Sequence, residues 1–85
     1  MTKISFLNGE FKPYDKCLVH VEDRGLQFAD AVYEVILFHE KKLIDEDRHL
    51  QRLFFSLDEL GIKIEHNKNE IKKIIHKICD LNKVD

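Results

Sequence analysis

The sequence predicts an α+β domain in which an antiparallel sheet of short strands packs against two helices. In the first half of the chain, apolar residues alternate with polar ones or form short runs, which is typical of strands. After Ile44 they recur every three or four residues, which is typical of amphipathic helices. Strands that precede helices, rather than alternating with them, favour a sheet with helices packed against it. The length of 85 residues corresponds to one small domain over residues 1–85.

Three strand regions are predicted. Residues 3–7 alternate and run into Asn8-Gly9, a dipeptide that tolerates the positive φ angles of a type I′ hairpin turn, so that residues 10–12 return antiparallel and Pro13 ends the hairpin. Residues 17–21 form a second, shorter strand. Residues 32–38 are nearly all apolar, which predicts a strand buried on both faces, and residues 39–42 turn the chain back into Leu43 and Ile44.

Two helices are predicted over about residues 47–60 and 68–81. In the first helix, leucine and phenylalanine side chains recur at helical spacing, Asp45 or Asp47 is the expected N-cap, and Gly61 is the residue that ends it. In the second helix, Asn67 is the expected N-cap and Glu70 stands three residues later, which is the pattern of a capping box. Isoleucines line one face of this helix.

Composition excludes several classes of protein. The net charge is −2 and the charges are spread along the chain, so no basic patch for nucleic acid is expected. No apolar run is long enough for a membrane span and no signal-peptide core is present, which predicts a cytoplasmic protein. Two cysteines without paired spacing are expected to be reduced thiols, and the histidines give no metal-ligand set.

Three side chains are candidates for a functional site. Glu34 is the one charged residue in an apolar run, where an unpaired carboxylate is costly, so it either lies at a site or forms a structural salt bridge, for example with an arginine. Arg52 is one of three arginines against eleven lysines; it either binds an oxyanion or lies along the surface of its own helix. Tyr33 is expected to be a core residue unless it belongs to a functional site.

Four motifs stand out by their order and spacing. They are Asp-Arg-Gly at residues 23–25, Gln-Phe-Ala-Asp-Ala-Val-Tyr-Glu-Val at 27–35, His-Leu-Gln-Arg-Leu at 49–53 and Glu-Leu-Gly-Ile at 59–62. Together they resemble the pyridoxal-phosphate aminotransferases of class IV, and within that family the D-amino acid (D-alanine) aminotransferase branch. The resemblance covers nearly the whole chain and implies the N-terminal small domain of such an enzyme, truncated before the end of its sheet.

The resemblance implies roles for the three candidates. Arg52 is similar to the family arginine that holds the phosphate of pyridoxal 5′-phosphate, because a guanidinium presents a fork of donors to a dianion. Tyr33 is similar to the tyrosine that reaches the substrate carboxylate, and Glu34 is expected near the site. Ala31 stands where the family usually has glycine, so a position that requires positive φ or tight packing is occupied by a residue with a Cβ.

The resemblance also implies what this chain lacks. In the family, the lysine that forms the Schiff base lies beyond the equivalent of residue 85, and no lysine here corresponds to it, so no catalytic residue is expected in the chain. We therefore expect a fragment or subunit of a D-amino acid aminotransferase that is inactive alone, binds no cofactor by itself, and works with a separate large-domain chain or as a homo-oligomer. The alternative is a non-enzymatic remnant that acts as a self-associating or binding module.

Overall fold

The computed structural model describes residues 3–84, which form helices and short antiparallel strands. The strands are β1 (Ile4–Leu7), β2 (Glu10–Pro13), β3 (Phe38–His39) and β4 (Lys42–Leu43), and the helices are α1 (Arg24–Gln27), α2 (Glu46–Leu60) and α3 (Lys68–Asn82). A single 3₁₀ turn covers Tyr14–Lys16. The predicted α+β class is therefore confirmed. The strands form two separate two-stranded sheets, β1-β2 and β3-β4, instead of the one sheet predicted.

The chain divides into two compact units, of which the first contains residues 3–20 and 66–84. In this unit, β1 and β2 pair through the predicted turn, where Asn8 and Gly9 have φ angles of 49° and 89°. The Phe6 and Phe11 rings meet edge to face at 4.9 Å between centroids. Helix α3 contacts β1, so the hairpin is covered by one helix.

The side chain of Asn82, at the end of α3, binds the free edge of β1. Its Oδ1 accepts from the Ile4 backbone N–H at 2.7 Å, and its Nδ2 donates to the Ile4 carbonyl at 2.8 Å. Nδ2 also donates to the carbonyl of Ile78 at 2.8 Å. Both backbone groups of Ile4 thus point away from β2, which explains why its pair partner Pro13, which has no N–H, is tolerated in the hairpin.

Helix α3 begins with the predicted capping box. Asn67 Oδ1 accepts from the Glu70 backbone N–H, and Glu70 Oε1 accepts from the Asn67 backbone N–H, both at 2.9 Å. The predicted face of isoleucines is half-buried along the helix. The two cysteines are both free; Cys17 lies just after the 3₁₀ turn and Cys79 on α3.

The second unit contains residues 21–65 and is organised around α2. Leu50 and Leu57, two turns apart, are buried, with 1% and 6% of their surfaces exposed. Gly61 ends the helix in a left-handed conformation with φ of 66°, as predicted, and its N–H bonds back to the carbonyls of the last turn. The β3-β4 hairpin leads into this helix.

The predicted side-chain cap of α2 is wrong. Asp45 does occupy the N-cap position, but its φ of 54° is left-handed, and no side-chain hydrogen bond caps the helix. An N-cap residue normally adopts a β-region conformation, from which its side chain reaches the N–H groups of the first turn. Asp47 lies inside the first turn instead.

Two predicted strands do not form. Residues 17–21 have no regular structure, and Leu18 and Val21 are more than 70% exposed. Residues 32–37 are not buried on both faces; only residue 38 of that run belongs to a strand, β3. Within residues 3–84, the one backbone hydrogen bond of residues 32–37 runs from the Ile44 N–H to the Leu37 carbonyl. A strand needs a neighbour for its N–H and C=O groups, and the described part of the chain offers none here.

No helix within residues 3–84 is both long and apolar enough to cross a membrane.

Candidate functional site

Residues 32–37, which we call the open segment, present two different sets of side chains. Val32, Glu34 and Ile36 are half-buried, whereas the intervening Tyr33, Val35 and Leu37 are 86%, 76% and 64% exposed. This period of two is that of a strand, in which successive side chains point to opposite faces. The alternation places Glu34 on the inner side and Tyr33 on the outer side.

Helix α2 brings two further side chains to Glu34. His49 and Arg52 are three residues apart, so they lie on the same face of the helix, about one turn from each other. The burial of Leu50 and Leu57 fixes the rotation of α2 about its axis, because these leucines occupy the buried face. The His-x-x-Arg spacing therefore places both groups on one side of the helix, and the buried leucines determine where that side faces.

The Glu34 carboxylate accepts three hydrogen bonds from these two side chains. Arg52 Nε donates to Oε2 and Arg52 Nη2 donates to Oε1, each at 2.8 Å, which is a bidentate pair. His49 Nδ1 lies 2.7 Å from Oε1. Only 10% of the Glu34 side chain is exposed, compared with 66% of Arg52. The salt bridge with an arginine, which the sequence left open for Glu34, is therefore formed with Arg52.

These contacts keep Glu34 ionised. The hydrogen bond from Arg52, followed by that from His49, lowers the pKa of the Glu34 carboxyl from 4.5 to about 2, against the opposing effect of burial. The same hydrogen bond raises the pKa of Arg52. An ionised carboxylate only accepts hydrogen bonds, so Nδ1 of His49 is the ring nitrogen that carries the proton in this contact.

Arg52 and His49 also line an open cavity on the surface of the second unit. Its volume is about 530 Å³, and it is lined by Asp45, Arg48, His49, Gln51, Arg52 and Phe55. The pair with Glu34 uses the Nε–H and one Nη2–H of Arg52. A guanidinium has five N–H donors, so both donors on Nη1 and the second on Nη2 stay available to a ligand.

The remaining sequence-predicted positions lie near this cluster along the chain. Tyr33 precedes Glu34 and is highly exposed. Ala31, at the family glycine position, does not have a positive φ angle; the left-handed residue of this loop is Ala29, with φ of 56°. In the residues that precede Ala31, the Arg24 side chain forms a salt bridge with Asp30.

The sequence reasoning did not select His49 as a site residue. The available signal was its spacing of three from Arg52, which places the two side chains on one helical face. What the spacing could not give was the shared contact, because Glu34 is 15 residues away from His49 in the sequence.

Comparison with known proteins identifies the family. Residues 31–85 match the sequence model of the family described as Amino-transferase class IV. The chain belongs to the class IV aminotransferases. The matched region of this aminotransferase chain begins at Ala31 and includes the open segment with Tyr33 and Glu34, as well as His49 and Arg52.

Several aminotransferases are similar to this chain. The D-alanine aminotransferase of Bacillus licheniformis is 39% identical over 75 residues, which are 88% of this chain and 26% of that protein. The D-alanine aminotransferase of Staphylococcus aureus (strain N315) is 34% identical over 85 residues, which are 100% of this chain and 30% of that protein. The one from Listeria monocytogenes serotype 1/2a (strain 10403S) is 29% identical over 79 residues. The chain thus spans less than a third of the length of these relatives.

Proposed function

We propose that this chain supplies the phosphate-binding arginine and a substrate-contacting tyrosine of a pyridoxal-phosphate-dependent D-amino acid aminotransferase. Such an enzyme transfers the amino group of a D-amino acid to a 2-oxo acid. The observation that carries the proposal is the exposed Arg52 guanidinium, which lines a cavity and keeps donors available beyond its pair with Glu34. The similarity to D-alanine aminotransferases supports the substrate class.

The donor set fits the phosphate of pyridoxal 5′-phosphate. Arg52 is the residue that would hold it, because a guanidinium binds two oxygens of a dianion with parallel N–H bonds. When bound, this cofactor provides an electron sink for the amino-acid substrate. We assign to Tyr33, on the exposed face of the open segment, the role of donating a hydrogen bond from its hydroxyl to a substrate carboxylate. The proposed role of this chain is therefore to bind the cofactor phosphate and to orient the substrate.

Turnover requires residues from outside these 85. The resemblance to the family implies that the lysine that forms the Schiff base lies outside these residues, and the relatives are more than three times as long as the part that matches. We therefore propose that the active enzyme includes the remaining aminotransferase sequence in addition to these residues. We also propose that this enzyme is located in the cytoplasm, as predicted from the sequence.

A coupled assay with D-alanine, 2-oxoglutarate and added pyridoxal phosphate tests this proposal. The purified 85-residue chain should show no turnover and no stable cofactor absorbance. A hybrid in which this chain replaces the matching residues of the Bacillus licheniformis D-alanine aminotransferase should be active. Tyr33→Phe in that hybrid should mainly raise KM for D-alanine, because the hydroxyl contacts substrate and not cofactor. Turnover by the isolated chain, or an unchanged KM in the Tyr33→Phe hybrid, would contradict the corresponding part of the proposal.

A second candidate function is self-association as a binding module. It is supported by the outer face of the open segment, where Tyr33, Val35 and Leu37 are largely exposed. Apolar side chains that are exposed together mark interaction surfaces. Light scattering over a concentration series distinguishes the two candidates: self-association predicts a mass that rises with concentration and falls back on Val35→Asp. The matched control is Val19→Asp, because Val19 is also more than half exposed but lies outside this face.

A further inference from the structure

We propose that Glu34, held in place by His49, is a positioning residue that sets the direction of the Arg52 guanidinium toward an anionic ligand. This inference rests on the proposed function, in which Arg52 binds the phosphate of the cofactor. It assigns roles to Glu34, which contacts Arg52 directly, and to His49, which contacts Glu34. Neither side chain needs to contact the ligand.

The geometry of the pair determines which donors are left for a ligand. Glu34 pairs with one edge of the planar guanidinium, the edge formed by Nε and Nη2. The donors that stay available are the two on Nη1 and the outer one on Nη2, and the outer Nη2–H forms, with one Nη1–H, the fork at the end of the side chain. An end-on fork of this kind matches two oxygens of a phosphate. The side-on pair with Glu34 therefore leaves the end of Arg52 as its ligand-binding edge.

Glu34 is itself fixed well enough to act as a guide. Its carboxylate is largely buried and accepts hydrogen bonds from two different side chains of α2. His49 has 23% of its side chain exposed and donates to Oε1, the same oxygen that accepts from Arg52 Nη2. By contrast, a long arginine side chain with 66% exposure would sample many rotamers without a partner. The order of the guanidinium thus comes from Glu34, and that of Glu34 comes partly from His49.

The charge of Glu34 gives this inference a distinctive consequence. A carboxylate beside an anion site repels the anion, so electrostatics alone predict that its removal strengthens anion binding. Positioning predicts the opposite, because the loss of Glu34 lets the guanidinium rotate and raises the entropy cost of binding. Glu34→Gln therefore separates the two explanations by the sign of its effect.

The test uses the 85-residue chain, labelled with ¹⁵N, and inorganic phosphate as the probe. The Nε–H resonance of Arg52 should exchange with solvent more slowly than that of Arg48, which is exposed on the same helix. Glu34→Gln and His49→Ala should each speed the exchange at Arg52 and weaken phosphate binding by about threefold to tenfold, the effect of losing one preorganised side chain. His49→Asn should restore both properties, since its amide N–H takes the place of Nδ1–H.

Two further variants separate this inference from the proposed function. Arg52→Gln should abolish saturable phosphate binding; binding equal to that of the parent chain would reject the phosphate role but leave the exchange measurement to decide on positioning. His66→Ala is the matched control, because His66 faces Glu70 at 3.8 Å in the other unit and should change neither readout. Unchanged Nε–H exchange in Glu34→Gln, or phosphate binding at least as tight as in the parent, would overturn the positioning role.

Discussion

Replacing Asn82 by alanine should strongly destabilise the first unit, although the change removes only one polar side chain. Asn82 makes three side-chain hydrogen bonds, two to Ile4 on the β1 edge and one to Ile78 within α3. At about 0.5 to 1.5 kcal/mol per bond, their loss costs about 1.5 to 4.5 kcal/mol. The better helix propensity of alanine returns up to about 0.7 kcal/mol. The expected net loss is about 1 to 4 kcal/mol.

This loss is large compared with the stability that a chain of this size has. At about 0.05 to 0.15 kcal/mol per residue, 85 residues give a free energy of unfolding of about 4 to 13 kcal/mol. Urea unfolding followed by circular dichroism, with linear extrapolation to water, measures the difference between variants. Asn67→Ala is the matched comparison on the same helix, because it removes an N-cap and should cost about 1 kcal/mol.

The comparison of the two asparagines decides whether the edge contact matters. Asn82→Ala should be the more costly of the two, and Asn82→Asp should also be destabilising because it keeps the acceptor but loses both N–H donors. An Asn82→Ala variant that is no less stable than Asn67→Ala would refute the conclusion that this side chain ties α3 to the edge of β1.

Three further outcomes follow from the structure. Leu50→Ala should lower the free energy of unfolding by about 2 to 5 kcal/mol in urea titrations, whereas Leu26→Ala at an exposed site should change it by less than about 0.5 kcal/mol. Ala29→Gly should raise the urea midpoint, because it relieves a left-handed φ that costs about 1 to 2 kcal/mol with a Cβ, against a smaller entropy cost of glycine. The pKa of Glu34 is depressed from 4.5 to about 2, so its contribution to stability is complete above pH 4.5 and is lost as pH falls toward about 2; unfolding curves of Glu34→Gln should lack that part of the acid dependence.

Local signals predicted the parts of the fold that local interactions stabilise. The Asn8-Gly9 turn, the Asn67 and Glu70 capping box and the Gly61 end of α2 each depend on residues within a few positions of one another, and each is present. Asp45 is the exception, because its left-handed backbone leaves its side chain without the geometry of a cap.

Features that depend on distant partners were predicted only in part. The apolar context of Glu34 indicated that its carboxylate needs a partner, but only the fold shows that Arg52, 18 residues away, provides it together with His49. Residues 17–21 and 32–37 have the composition of strands, but a strand also requires a neighbour, and the described residues supply none to these segments. Composition therefore predicted which residues favour extended structure and not whether they pair.

The cofactor affinity of an Arg52 variant tests the central claim most directly. The measurement is the dissociation constant of pyridoxal phosphate for the hybrid aminotransferase carrying Arg52→Ala, compared with the parent hybrid and with Arg48→Ala, a neighbouring arginine that lines the same cavity. The account predicts that Arg52→Ala weakens cofactor binding by roughly tenfold to a hundredfold, the effect of losing a charge-assisted contact, and that Arg48→Ala changes it much less. Equal cofactor affinity for Arg52→Ala and the parent would mean that Arg52 serves only its salt bridge with Glu34, and the proposed function would be wrong.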